Sequence, residues 1–245
     1  IDMLKHSPLA VQTEAANQQH YEIPTEFFQR VLGKHLKYSS GYWHDGVTRL
    51  DQSEEDMLSL TCARAELADG QNILELGCGW GSLSLFMAAN FPKSSVTAVS
   101  NSKTQKTHID AQAKERGLTG VNAITADMDS FEIARQSDCV VSVEMFEHMR
   151  NYRKLLEKIA GFMESNGKLF VHIFTHRKFA YTFDMRDESD WMSKYFFTGG
   201  MMPGRTNSYH TSALMLVKAG LPNSSSMAGM TWSAIAAPPG IEIPS

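Results

Sequence analysis

Glu75-Leu76-Gly77-Cys78-Gly79-Trp80-Gly81 is the stretch that decides how this chain is read. It closes an apolar run, Asn72 to Leu76, and opens an amphipathic one, Ser82 to Phe91. A strand that feeds a glycine-rich turn and then a helix N-terminus is the place where open parallel sheets hold ligands, beyond the carboxyl ends of the strands. Gly77 and Gly79 have no Cβ, so the backbone there can approach a ligand closely.

Outward from this turn, short apolar runs alternate with longer amphipathic ones, the pattern of strand and crossover-helix units. Strands are expected at Asn72 to Leu76, Ser95 to Val99, Val121 to Thr125, Asp138 to Val143 and Lys168 to Phe174. Helices are expected at Ser82 to Phe91, Lys103 to Arg116 and Tyr152 to Met163, with Gly117, Gly120 and Gly167 punctuating the returns. The expected fold class is α/β, a mostly parallel, doubly wound sheet. Three helical stretches precede it: Leu9 to His20, Pro24 to Leu36, and Ser53 to Asp69, the last with Ser53 as N-cap and acidic residues behind it. The expected organisation is an N-terminal helical cap over 1–70, a ligand-binding core over 71–203 and an atypical tail over 204–245.

The tail departs in composition. Five of the eight prolines and only three charged residues (Arg205, Lys218, Glu242) fall in the last 43 positions. It reads as irregular, with a short helix at Ser212 to Ala219 and a strand near Met230 to Ile235. The low charge is that of a shifted reading frame or an altered splice, which translation of the gene in its other two frames would test. The chain opens at Ile1 rather than Met, so residues are expected upstream.

With 245 residues, 42% hydrophobic, 20% charged and a net charge of −4, the chain suits one soluble α/β domain and carries no basic nucleic-acid footprint. No apolar run reaches the ~18 residues of a membrane span, and a cytoplasmic protein without stable membrane insertion is expected. Cys62, Cys78 and Cys139 form no C-x-x-C pair, so they read as reduced apolar fillers, with no metal site.

Several side chains sit where the pattern places a ligand. The loop from Glu75 has G-x-G-x-G spacing and lacks the G-x-G-x-x-G phosphate fingerprint, which favours S-adenosylmethionine over a dinucleotide. After the second strand, Asn101 and Gln105 can bond a ribose diol, while Ser102 caps the next helix. After the third, Asp127 can accept from an exocyclic amine and Met128 can cover a ring, although a lone Asp there is commonly a cap. The fourth strand runs into Glu144-Met145-Phe146-Glu147-His148-Met149, two carboxylates and an imidazole suited to binding a cation and taking its proton. Tyr42, Trp43, Trp191, Tyr195, Phe196 and Phe197 offer either a cation–π cage or plain core.

In register along residues 15 to about 203, these motifs resemble the coclaurine N-methyltransferase group within the cyclopropane fatty acid synthase-like methyltransferases. The resemblance rests on His20-Tyr21-Glu22-Ile23-Pro24, Tyr38-Ser39-Ser40-Gly41-Tyr42-Trp43, the Glu75 to Gly81 loop, Ser100-Asn101-Ser102 with Gln105, Glu144 to Met149, and Phe196-Phe197-Thr198-Gly199-Gly200. It implies a Rossmann-like class I methyltransferase fold with S-adenosylmethionine as cofactor and a small-molecule amine as substrate. It also implies roles: Tyr38 and Ser39 at the cofactor's methionine end, Gly77 and Gly79 as backbone contacts, Asn101 and Gln105 at the ribose. Asp127 and Met128 would meet the adenine and Val143 would complete the wall, with Glu144, Glu147 and His148 facing the amine. In the lipid-cyclopropanating branch a small residue stands where Glu144 stands, so Glu144 favours amines; a lipid C-methyltransferase is the alternative. The family's segment beyond Pro203 is not recognisable here, which makes a cofactor-binding but catalytically impaired paralogue the third expectation.

Overall fold

In the computed structural model, which describes residues 6–10, 24–176, 178–185, 187–204, 212–219 and 230–235, the strand and helix alternation becomes a seven-stranded sheet. Five strands are parallel: β1 (Asn72–Leu76), β2 (Ser95–Ser100), β3 (Val121–Thr125), β4 (Ser137–Val143) and β5 (Met163–Phe174), in the order β3-β2-β1-β4-β5. Their near-continuous apolar sequences follow from burial on both faces. Leu74 and Leu76 of β1, with Val140 of β4, pack against Leu155 and Ile159 of α5 (Tyr152–Gly161). Ile73 of β1, Val141 of β4 and Phe170 of β5 pack on the other face against α2 (Leu50–Arg64) and α3 (Ser82–Asn90) through Leu58, Cys62, Leu83 and Met87. The strand order reverses between β1 and β4, which opens a crevice above their carboxyl ends. The three cysteines are free and buried, and pack as small apolar residues.

Local chemistry sets the helix starts. Ser102 caps α4 (Lys103–Glu115), its Oγ accepting from the Gln105 N–H at 3.2 Å, and Asn151 caps α5 by accepting from Lys154 N–H at 3.1 Å. Two expected helices are shorter or shifted. The first, α1 (Thr25–Val31), stops five residues before Leu36, because the carboxylate of Glu54 accepts from the backbone N–H groups of Gly33 (2.8 Å) and His35 (3.0 Å) and draws the chain out of helical geometry. Helix α2 begins at Leu50, so Ser53 is not its cap; its Oγ donates to the Leu50 carbonyl inside the first turn. Leu9 and Ala10 are not helical: Ala10 bridges Met149 and the Leu9 carbonyl accepts from Arg150 N–H. The remainder of that expected helix, and His20 to Ile23, lie outside the described residues.

The tail is corrected too. Ser212–Ala219 is a strand, β8, not a helix, and lies antiparallel to β5 in a register from Lys168↔Lys218 to Phe174↔Ser212. β9 (Met230–Ile235) is the strand expected there and lies antiparallel to β8. A short apolar run is ambiguous by periodicity; the open edge of β5 decides, since its backbone groups need partners. Between β5 and β8, the hairpin-like pair β6 (Tyr181–Thr182) and β7 (Met201–Met202) flanks α6 (Trp191–Tyr195).

Candidate active site

The Gly77-Cys78-Gly79 turn is pinned to the neighbouring strand: both Gly77 and Cys78 N–H donate to the Val99 carbonyl at 3.0 Å. Gly77 and Gly79 have φ of +81° and +53°, and a Cβ on Gly79 would lie 2.8 Å from the Tyr38 ring. Tyr38 therefore leans directly over the turn. Glu75, buried at the end of β1, accepts from Ser84 Oγ of α3, which ties strand to helix beneath the turn. Burial pushes its carboxyl up to about 7.

Above the turn lies a cavity of about 470 Å³. Every expected cofactor-side residue lines it: Tyr38, Ser39, Glu75, Gly77, Gly79, Asn101, Gln105, Asp127, Met128 and Val143. Gln105 is 1% exposed; its Oε1 accepts from Ser100 Oγ at 2.5 Å, while its Nε2 donors have no partner among the described residues. A buried amide with one half satisfied and the other turned to a cavity is a group built for a ligand's acceptor oxygen. Asp127 performs a turn role as well: its Oδ1 accepts from Asp129 N–H at 2.9 Å.

The acid-base cluster after β4 divides. Glu144 lines the cavity and holds φ +52°, an uncommon backbone conformation for a residue with a Cβ. Its N–H donates to the His172 carbonyl at 2.8 Å; burial pushes its carboxyl up, opposed by the Lys37 charge and the Ser40 N–H. His148 also lines the cavity, its ring 4.9 Å from that of Phe197. Glu147 does not. It is 0% exposed, its Oε1 accepts from Phe174 N–H at 2.9 Å, and burial pushes it up to about 8, so it is a neutral acid behind the wall at neutral pH.

The expected aromatics divide in the same way. Phe196 and Phe197 line the cavity, whereas Tyr42 pairs with His44, Trp43 is exposed, and Trp191, which does not line it, sits tilted against Phe196 and Tyr195. Phe27 and Phe28 of α1 complete the apolar rim, with Phe28 5.1 Å from Trp80. Neither was anticipated, although an aromatic pair on a helix ahead of Tyr38 was visible. Lys37 was missed for a different reason: one lysine between Leu36 and Tyr38 carries no pattern. It is buried in the cavity wall, and its Nζ donates to Ser39 Oγ. Among the described residues no helix is long and apolar enough to cross a membrane, and no group of three His, Cys, Asp or Glu side chains could hold a metal ion.

A parallel sheet with its switch-point cavity over a G-x-G-x-G turn defines a Rossmann-like class I methyltransferase fold. Within that class, the chain belongs to the mycolic acid cyclopropane synthetase family, which it matches over residues 10–217. It is 40% identical over 199 residues to (S)-coclaurine N-methyltransferase of Thalictrum flavum subsp. glaucum, covering 81% of this chain and 55% of that protein. It is also 40% identical over 199 residues to pavine N-methyltransferase from the same plant, covering 81% and 56%. A solved structure of coclaurine N-methyltransferase bound to N-methylheliamine and S-adenosylhomocysteine superposes with a TM-score of 0.78 at 37% identity, covering 83% of this chain and 59% of the other. The chain thus spans little more than half the length of the curated relatives it matches.

Proposed function

We propose that this chain is an S-adenosylmethionine-dependent methyltransferase acting on the nitrogen of a small-molecule amine. The observation that carries this reading is the pair Glu144 and His148 on the wall of a cavity whose floor is the Gly77 to Gly79 turn. Bound there, S-adenosylmethionine supplies a methyl group on a sulfonium, already activated for transfer. The cavity fits that cofactor: the glycine turn, where Cβ atoms would collide with Met145 and Tyr38, lets those side chains close in on its floor, Gln105 Nε2 and Asn101 offer donors for a ribose, and Met128 offers an apolar face for a base. Tyr38 and Ser39 stand at the glycine-turn end, where the methionine moiety belongs, Asp127 near the base, and Val143 beside the transfer point.

A protonated amine has no free lone pair, so the chain must remove a proton before transfer. Glu144 and His148 serve that step because they face the cavity, and Phe196 and Phe197 exclude water and favour a cation by their ring faces. Glu147 acts from behind, holding the β5 terminus through Phe174 N–H. Residues 1–70 form the cap, residues 71–203 the cofactor core, and the tail adds strands to the sheet edge.

Incubating the full chain with radiolabelled S-adenosylmethionine and, separately, a panel of secondary and tertiary amines and unsaturated phospholipid tests the reading. Label in amine is expected. Label only in lipid would make it a lipid C-methyltransferase, and calorimetric binding of S-adenosylhomocysteine with no transfer to either would make it a cofactor-binding paralogue without turnover.

A further inference from the structure

Phe196, Phe197 and Thr198 reach the cavity from the excursion between β6 and β7, a segment with a single five-residue helix, α6, among its described residues. A segment with so few internal hydrogen bonds has to be fixed from outside. Arg150, in the turn after β4, supplies two fixings. Its Nε donates to the Gly199 carbonyl at 2.8 Å and its Nη2 to Asp184 Oδ1 at 2.8 Å, with its side chain 16% exposed. The two acceptors stand at the two ends of the excursion, so one planar guanidinium closes the loop. Beside them the backbone pairs as well, Phe183 N–H donating to the Gly200 carbonyl at 3.0 Å. Gly200 lies so close to the turn after β4 that a Cβ on it would stand 2.0 Å from the Glu147 carbonyl oxygen. The backbone of Arg150 is itself held by the N-terminal segment, its N–H donating to the carbonyl of the buried Leu9 at 2.9 Å.

The clamp reaches the cavity through rings. Phe183, buried and next to Asp184, stacks on Phe197 with centroids 5.3 Å apart, and Phe197 leans on His148 at 4.9 Å. Phe174, at the end of β5, meets the Phe197 ring at 5.1 Å in a T-shaped contact. His148 and Phe197 line the cavity, whereas Arg150, Phe183, Asp184 and Gly199 do not. We propose that Arg150 is a positioning residue for amine methylation: by clamping Asp184 and Gly199 to the turn after β4 it holds Phe197 against His148, and so fixes the imidazole and the apolar wall that receive the amine. This rests on the amine-methylation reading above. The glycine turn after β1 and Gln105 on α4 belong to other elements, so loss of the clamp should spare cofactor binding. Of its two halves the Gly199 bond is the stronger, since the Asp184 side chain is 55% exposed and an exposed ion pair is screened by solvent. A lysine at this position keeps the charge without the fixed fork, so it holds the two acceptors less rigidly.

The test compares Arg150→Met and Arg150→Lys in the full chain. With an accepted amine, Arg150→Met should lose about tenfold in kcat/KM for the amine, the factor that corresponds to one net hydrogen bond, while KM for S-adenosylmethionine and the affinity for S-adenosylhomocysteine stay unchanged. Arg150→Lys should recover part of the loss, and Arg150→Met should cost less where Phe197→Leu has already removed the ring. A second readout needs no turnover: the His148 ring resonances, assigned by their loss in His148→Gln, carry the ring-current shift of Phe197 and should move in Arg150→Met toward their positions in Phe197→Leu. Unmoved His148 resonances in a folded Arg150→Met protein overturn the proposal; should that variant not fold, unmoved resonances in Arg150→Lys do the same. Equal losses for amine and cofactor also overturn it, since Arg150 would then be a general staple of the fold. If no amine is methylated but the His148 resonances shift, the amine reading fails while the clamp on Phe197 and His148 stands.

Discussion

Glu54→Ala is the perturbation that best separates the scaffold of the site from its chemistry. Glu54 lies on α2, 1% exposed, and touches no cavity atom, yet its two carboxylate oxygens accept from Gly33 and Lys37's near neighbour His35 at 2.8 and 3.0 Å. Hydrogen bonds to a charged group net about 1.5–3 kcal/mol each, and the relief of a desolvated carboxylate offsets part of that. The expected loss for Glu54→Ala is therefore about 2–4 kcal/mol, with Glu54→Gln losing about half because one acceptor oxygen survives. Urea unfolding at constant slope measures the total. Hydrogen exchange at the Gly33 and His35 amides measures the local part, and both should speed up well before the sheet opens. S-adenosylhomocysteine affinity should fall with them, since Tyr38 and Ser39 hang from the same loop. A Glu54→Ala protein with wild-type stability and unchanged exchange at those two amides would refute the reasoning.

Gln105→Leu deletes the donor aimed into the cavity and the acceptor of Ser100, so isothermal titration should show S-adenosylhomocysteine binding weakened about tenfold while stability drops only about 1 kcal/mol. Glu147 titrates near 8 in the folded chain against about 4.5 unfolded, so the folded state holds the extra proton between those values. Its contribution is complete below about pH 4.5 and is lost as pH rises through 8; Glu147→Gln should flatten that decline in a pH series of unfolding midpoints. Gly200→Ala would drive a Cβ into the Glu147 carbonyl, so a loss of about 1–3 kcal/mol and a displaced His148–Phe197 pair are expected, read by thermal unfolding and by the His148 ring resonances.

Much of the fold was legible because buried parallel strands leave unbroken apolar runs: β1 and β3 begin and end where the sequence placed them. Most of the cavity-lining residues were legible for a related reason, since Gly77, Gly79, Asn101, Gln105, Asp127 and Met128 follow the carboxyl ends of strands and the switch point gathers those ends. What failed was decided by distant partners. Nothing near Leu32 says that Glu54, more than twenty positions later, will end α1. Glu147 and His148 are adjacent in sequence, but only the tertiary position of Phe174 N–H determines that one faces inward and the other lines the cavity. Lys37 had no local signature at all, and only the tertiary fold buries it in the cavity wall.

The β5–β8 ladder bears on how freely such a chain can change after residue 203. Seven register pairs join β8 to β5, and each is a relation between backbone groups that any residue except proline carries. A sheet edge recruited this way selects for extended, proline-free stretches rather than for particular side chains. Ser212–Ala219 and Met230–Ile235 contain no proline although the tail around them is rich in it. Many different proline-free segments can therefore shield the edge of β5, and with it an interior strand that would otherwise offer its backbone to another chain.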